Sequence, residues 1–124
     1  MLVRSDIPLA DQITQVGHAC LEAGWQFART AVPCHLIVLS VASEAQLTDW
    51  VSYAARWGIR CALFYEPDDN LGATAACSEP VYGAARRCFR RLPLWQAPGA
   101  IGQARGPPRS GQYALLSVSC LLLN

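Results

Sequence analysis

Two groups of residues in this 124-residue chain have side chains and spacings suited to chemistry. Asp11, Gln15, His18 and Glu22 recur at i, i+4, i+7 and i+11, which aligns them along one side of a helix. Glu66 closes the apolar run IRCALFY, and Thr74 enters the next run eight residues later. A carboxylate at the end of a sheet strand stands where α/β domains bind ligands, and a carboxylate with a hydroxyl can together polarise a water. The same residues also suit an ordinary solvated helix face and a polar turn. A third group is cationic. Arg86/Arg90 and Arg87/Arg91 form i, i+4 pairs, a pattern that suits phosphate contact and equally suits an arginine-rich helix end facing the helix dipole.

Composition removes other chemistries. All ten basic residues are Arg and none is Lys, so a Schiff-base lysine and a P-loop lysine are excluded. Ten basic against nine acidic residues give a net charge of +1, which rules out a strongly basic nucleic-acid binder on totals but leaves room for a local patch. The distribution fits a nucleic-acid partner only in part: residues 61–80 hold four acidic residues and no Arg, and residues 81–124 hold six Arg and no acid. No GxSxG, GxGxxG, HExxH or P-loop pattern occurs. Asp68, Asn70 and Gly72 match parts of a calcium loop, but Ala73 stands where that loop needs Gly. His18 and His35 form no metal spacing with the cysteines, and His35 within an apolar run reads as structural. The six cysteines contain no CxxC pair and lie mostly in apolar segments, so free thiols in a reducing cytosol are expected. Arg4, Asp6 and Asp11 interrupt the first fifteen residues, so no secretory segment is expected there, and no apolar run is long enough for a membrane span. The expected location is cytoplasmic.

These side chains need elements to hold them. Residues 1–5 read as a short strand. Residues 10–28 read as a helix packing through Ile13, Val16, Cys20, Ala23, Gly24 and Phe27, with the Asp11–Glu22 stripe opposite. Residues 34–41 read as a strand buried on both faces. Residues 43–57 read as a helix with Ser43 and Gln46 as a capping box, Leu47, Trp50, Val51, Ala54 and Trp57 as its packing stripe, and Gly58 as its stop. Strands follow over 59–65 and 73–79, joined by the turn EPDDNLG, and Pro80 opens a helix over 81–92. The β–α–β start predicts a parallel pair and the short turn predicts an antiparallel one. The expectation is one α/β domain over residues 1–95, with a mixed four-stranded sheet and helices on both faces. Residues 96–111 hold three Pro and four Gly and read as linker, and the apolar tail 113–123 would cover a sheet edge or a second subunit, which makes a homodimer a candidate assembly.

In order and spacing, the chain resembles the type 2 peptidyl-tRNA hydrolases over residues 1–95. The segment LVRSDI at residues 2–7, followed by Gln15-Val16-Gly17-His18-Ala19, is similar to that family's opening strand V-x-R-x-D-L and its helix motif Q-x-x-H-A. Ala62-Leu63-Phe64-Tyr65-Glu66, then Thr74-Ala75 and Pro80, is similar to its A-L-I-R-D and T-A-x-x-x-x-P. The resemblance implies hydrolysis of the ester joining a peptide or aminoacyl group to tRNA, with no metal or organic cofactor. It implies that Glu66 stands in the place of a catalytic aspartate, Thr74 in that of a threonine positioning water or the carbonyl, and Gln15 and His18 in the helix polar positions. Arg86, Arg87, Arg90 and Arg91 would then contact tRNA. Two positions depart from the pattern: Asp11 falls where the family has lysine, and Glu66 replaces Asp. Both departures look like the divergent peptidyl-tRNA hydrolase domain-containing relatives. The alternatives are a catalytically degenerate domain of the same fold that binds tRNA, a nucleotide or a protein, and an unrelated small-molecule α/β module.

Overall fold

A computed structural model describes residues 1–30 and 34–97. β1 (Leu2–Arg4), α1 (Leu9–Gln26), β2 (Leu39–Val41), α2 (Glu44–Arg56), β3 (Cys61–Glu66) and β4 (Gly72–Ser78) follow in that order, with 3-10 segments at Asp68–Asn70 and Gly83–Phe89. The four strands form one mixed sheet in the order β2-β1-β4-β3. β1 and β2 are parallel across the α1 crossover, and β4 runs antiparallel to both β1 and β3. The α/β class, the mixed sheet and both pairings agree with the sequence.

α2 begins and ends where its capping residues place it. The Ser43 hydroxyl accepts from the Gln46 amide at 3.2 Å, and the Gln46 side chain accepts from the Ala42 amide. At the other end Gly58 takes φ +72°, and the Gly58 and Ile59 amides bond the Ala55 and Ala54 carbonyls, a Schellman ending. The sheet is packed on both faces because neighbouring strand residues point opposite ways. Leu2, Val41, Ala73 and Ala76 pack with Leu47, Trp50 and Val51 of α2. Val3 and Ala75 pack with Ala19 and Val16 of α1.

Four expectations are corrected. The packing face of α1 is rotated: Gln12, Gln15, Ala19 and Ala23 are buried, while Ile13 is 60% exposed and Trp25 is 75% exposed. The physical reason is that β4 presents to α1 the small Ala75 and the hydroxyl of Thr74, against which a helix face of small and amide side chains fits closely. The second strand is three residues long and lies at the sheet edge, and residues 34–37, His35 included, are exposed. It is therefore not buried on both faces. Trp57 stands at the rim of the α2 packing stripe, 44% exposed. Lastly, residues 81–92 do not form an α-helix: the chain is extended at Tyr82, Gly83 takes φ +57°, and Gly83–Phe89 is 3-10. Pro80 opens nothing, so the four arginines share no i, i+4 helix face.

The chain stays attached to the domain as far as Trp95. The Ser40 amide bonds the Pro93 carbonyl, the Trp95 amide bonds the Val38 carbonyl, and the Trp95 indole donates to Gln12 Oε1 at 2.7 Å. The expected linker and apolar tail lie outside the described residues from position 98 onward. Cys20, Cys34, Cys61, Cys77 and Cys88 are free thiols. Burial pushes Cys61 and Cys77 up to about 11, which makes them weak nucleophiles near neutral pH. Among the described residues, no helix is long and apolar enough to cross a membrane.

Candidate functional site

The site is built at the end of β3, the start of β4 and the first half of α1. β3 and β4 run in register until Phe64 pairs with Ala75, after which Tyr65 pairs with Ala73. Thr74 is the extra residue of a β-bulge, and bulges re-aim side chains. Ala73 and Ala76 join the α2-side core and Ala75 the α1-side core, while the Thr74 hydroxyl also reaches α1. Without the bulge, Thr74 would alternate to the α2 side of the sheet.

Gln15 then joins the two residues singled out on the strands. Thr74 Oγ1 donates to Gln15 Oε1 at 3.0 Å, and Gln15 Nε2 donates to Glu66 Oε2 at 2.9 Å. The direction is fixed chemically, since an ionised carboxylate only accepts and the amide NH₂ must face it. Gln15 is 3% exposed and Thr74 is fully buried, whereas Glu66 is half-buried. The second glutamine of α1 anchors the same face: Gln12 Nε2 donates to the Ile7 carbonyl at 2.8 Å while its Oε1 accepts from Trp95. Every buried side-chain polar atom among the described residues has a partner, as burial in a low-dielectric interior demands.

His18 lies on α1 one turn beyond Gln15 and stacks on Phe64, ring centroids 4.7 Å apart and planes 12° apart. It is half-buried. Asp11 lies one turn before Gln15, and Glu22, at the far end of the stripe, is half-buried and accepts from Gln26 Nε2 at 3.3 Å. Structure therefore gathers Glu66, Gln15 and Thr74 into one hydrogen-bonded chain, with His18 on the adjoining turn. Thr74 and Gln15 do not present free polar atoms to solvent. Thr74 bonds Gln15, and Gln15 bonds Glu66.

Arg4 and Glu44, to which the sequence assigned no part in a site, fix the turn between β3 and β4. Arg4 Nη1 donates to the carbonyls of Leu71 and Ala73, and its Nε and Nη2 engage both oxygens of Asp6 at 2.9 Å. That bidentate contact holds the Asp6 carboxyl below its ordinary value. The Glu44 carboxylate accepts from the Ala73 amide at 2.7 Å and lies 3.9 Å from Arg4. Within the turn, Asp69 and Asn70 both take φ +53°, which Asp and Asn tolerate best among non-glycine residues. Arg4 and Asp6 belong to the LVRSDI segment, so a sequence signal was present. Glu44 had none beyond its place in the first turn of α2.

Chemically, Glu66 offers one oxygen held by Gln15 and a second, Oε1, whose contact with the Asp68 amide is long at 3.4 Å. That oxygen can accept a hydrogen bond and a proton from water. Among the described residues, no cluster of His, Cys, Asp and Glu has the arrangement to hold a metal ion. Arg86, Arg87, Arg90 and Arg91 are all exposed, and they lie apart from Glu66 along two surface grooves that Glu66 does not line. Compared with protein-family models, with curated proteins and with solved structures, the chain matches none.

Proposed function

We propose that this chain hydrolyses the ester joining a peptidyl or aminoacyl group to tRNA, in the cytoplasm and without a cofactor, on a fold of the type 2 peptidyl-tRNA hydrolase kind. One observation carries the reading: the residues that the resemblance makes functional and that are scattered in sequence, Gln15, Glu66 and Thr74, meet in one hydrogen-bonded chain. Glu66 Oε1 accepts the proton of a water as its oxygen attacks the ester carbonyl. The carbon–oxygen bond to the tRNA then breaks, and the proton passes to the departing hydroxyl. Gln15 and Thr74 fix the carboxylate so that little reorganisation is needed during the reaction. His18, held against Phe64, supplies a further polar group for the ester or the tRNA end. The exposed arginines supply cationic surface for tRNA phosphates.

Two observations favour a second reading, a non-catalytic domain that binds tRNA. Asp11 places an anion where the family pattern has lysine, and the Thr74 hydroxyl is spent on Gln15. A turnover assay with a model peptidyl-tRNA separates the two. Hydrolysis by the wild-type chain, lowered about 10²–10⁴-fold in Glu66→Gln, supports the enzyme. Equal rates in the two proteins defeat the mechanism. Binding of tRNA without cleavage moves the assignment to the second reading, and Asp11→Lys is then the first variant to try.

A further inference from the structure

A groove of about 890 Å³ runs between α2 and residues 87–91, on the α2 side of the sheet and away from Glu66. Its walls combine two kinds of side chain. α2 contributes an aromatic row: Tyr53 meets Trp50 edge to face, with centroids 5.2 Å apart, and lies 6.2 Å from Trp57. Trp57 ends this row with nearly half its surface open. Around the row stand four guanidiniums. Arg56 lies 5.3 Å over the Tyr53 ring, and Arg87, Arg90 and Arg91 line the facing wall. Asp49 is the one acidic residue of the lining.

Among the described residues these arginines have no partner charge. The ion pairs among the described residues are made by Arg4 and Arg60, and no carboxylate lies within 4.0 Å of Arg56, Arg87, Arg90 or Arg91. A helix end accounts for Arg56, in the last turn of α2, and for Arg87, in the last turn of the short 3-10 segment. That segment ends at Phe89, so Arg90 and Arg91 lie beyond it and have no helix end to face. Convergence of unpaired guanidiniums on an open aromatic row is the composition of a surface that takes stacked bases and their phosphates together.

We propose that this groove binds single-stranded nucleic acid, with a base stacked on Trp57 beside Tyr53 and the flanking phosphates held by Arg56, Arg87, Arg90 and Arg91. An open groove with cations along its length fits a strand better than a lone nucleotide, whose phosphates are clustered. Paired bases are already stacked on one another and offer Trp57 no free face. The proposal shares Arg87, Arg90 and Arg91 with the tRNA contacts proposed above, but it does not depend on ester hydrolysis at Glu66, which does not line this groove.

The test is anisotropy of a labelled short oligouridylate titrated with the full chain at a series of salt concentrations. Saturable binding is expected, with log affinity falling against log salt by about 0.7 per phosphate contact. Trp57→Ala should weaken binding about 5-fold to 100-fold, the usual worth of one stacked base, and Trp57→Phe should keep most of it. Arg87→Gln with Arg91→Gln should weaken binding and flatten the salt slope by about 1.4. Arg29→Gln, a loss of positive charge away from the groove, should leave both unchanged. The urea midpoint of each variant shows whether it is folded. Absence of saturable binding at low salt, a Trp57→Ala protein that is folded and binds as wild type, equal affinity for uridine monophosphate, or equal affinity for duplex RNA would each overturn the proposal.

Discussion

Thr74 and Gln15 should be energetically coupled, and the size of the coupling follows from where they sit. Thr74→Val keeps the shape of the side chain and removes its hydroxyl. Gln15 Oε1, in a site closed to water, then loses its donor, and an orphaned buried acceptor costs about 1–3 kcal/mol. Gln15→Met keeps the length of the side chain and the helix propensity of the position. It leaves the Thr74 hydroxyl unpaired at a similar cost of about 1–3 kcal/mol. It also removes a bond to Glu66, but that carboxylate is half-exposed and water replaces the donor. The double variant places two apolar side chains in contact and orphans nothing. Its loss should therefore fall well short of the sum of the single losses, with a coupling on the order of 1–3 kcal/mol. Urea denaturation of the four proteins at equal m-value measures this directly. Additivity within about 0.5 kcal/mol would refute the claim that the two residues act as one bonded unit. Turnover provides a second readout. If Thr74 acts through Gln15, Thr74→Val slows the wild type but adds nothing in the Gln15→Met background; an equal slowing in both would mean that Thr74 touches the substrate itself.

Further outcomes follow from other sites. Asp68→Asn should leave turnover nearly unchanged while Glu66→Gln abolishes most of it, because Asp68 is exposed and only its backbone amide approaches Glu66, which kinetics on a model peptidyl-tRNA will check. Gly72→Ala should destabilise by about 1–3 kcal/mol in urea, since Gly72 takes φ +70° and an added Cβ would come within 2.8 Å of the Glu44 carboxyl carbon; adding Glu44→Ala should recover the steric part. The Arg60 backbone amide, and then its guanidinium, hold the Glu79 carboxyl below its ordinary value of 4.5. That contribution is present above pH 4.5 and is lost as pH falls through the lowered folded-state value. The acid limb of a stability–pH curve should therefore be shallower in Glu79→Gln. Alkylation followed by peptide mapping should label Cys34, which is exposed, well before Cys61 or Cys77, whose thiols burial holds at about 11.

Local rules were enough for several parts of the molecule. The Ser43 cap and the Gly58 stop are properties of single residues and their immediate neighbours, so both ends of α2 could be read directly. The antiparallel β3–β4 pair follows from a turn too short for any other connection, and the parallel β1–β2 pair from a helix-length crossover. Glu66 at the end of a strand and Gln15 on the first helix were legible as polar residues in suggestive places. Which face of α1 would be buried was not legible. Periodicity counts apolar residues, and here the buried stripe contains Gln12 and Gln15 while Ile13 and Trp25 face outward. Amides can occupy a core only when both ends find partners, and although the Ile7 carbonyl is close in sequence to Gln12, the other three partners, Trp95, Thr74 and Glu66, come from distant parts of the chain. Nor could the sequence place Thr74, since alternation along β4 turns it away from α1 and a one-residue bulge against β3 turns it back. Residues 83–89 carry enough helix formers to suggest an α-helix, yet the left-handed Gly83 and packing of Cys88 and Phe89 against α2 and Ile59 hold a tighter 3-10 segment. Types and spacing determined which residues were available for chemistry. Register, bulge and the pairing of buried amides, all long-range, decided which of them meet.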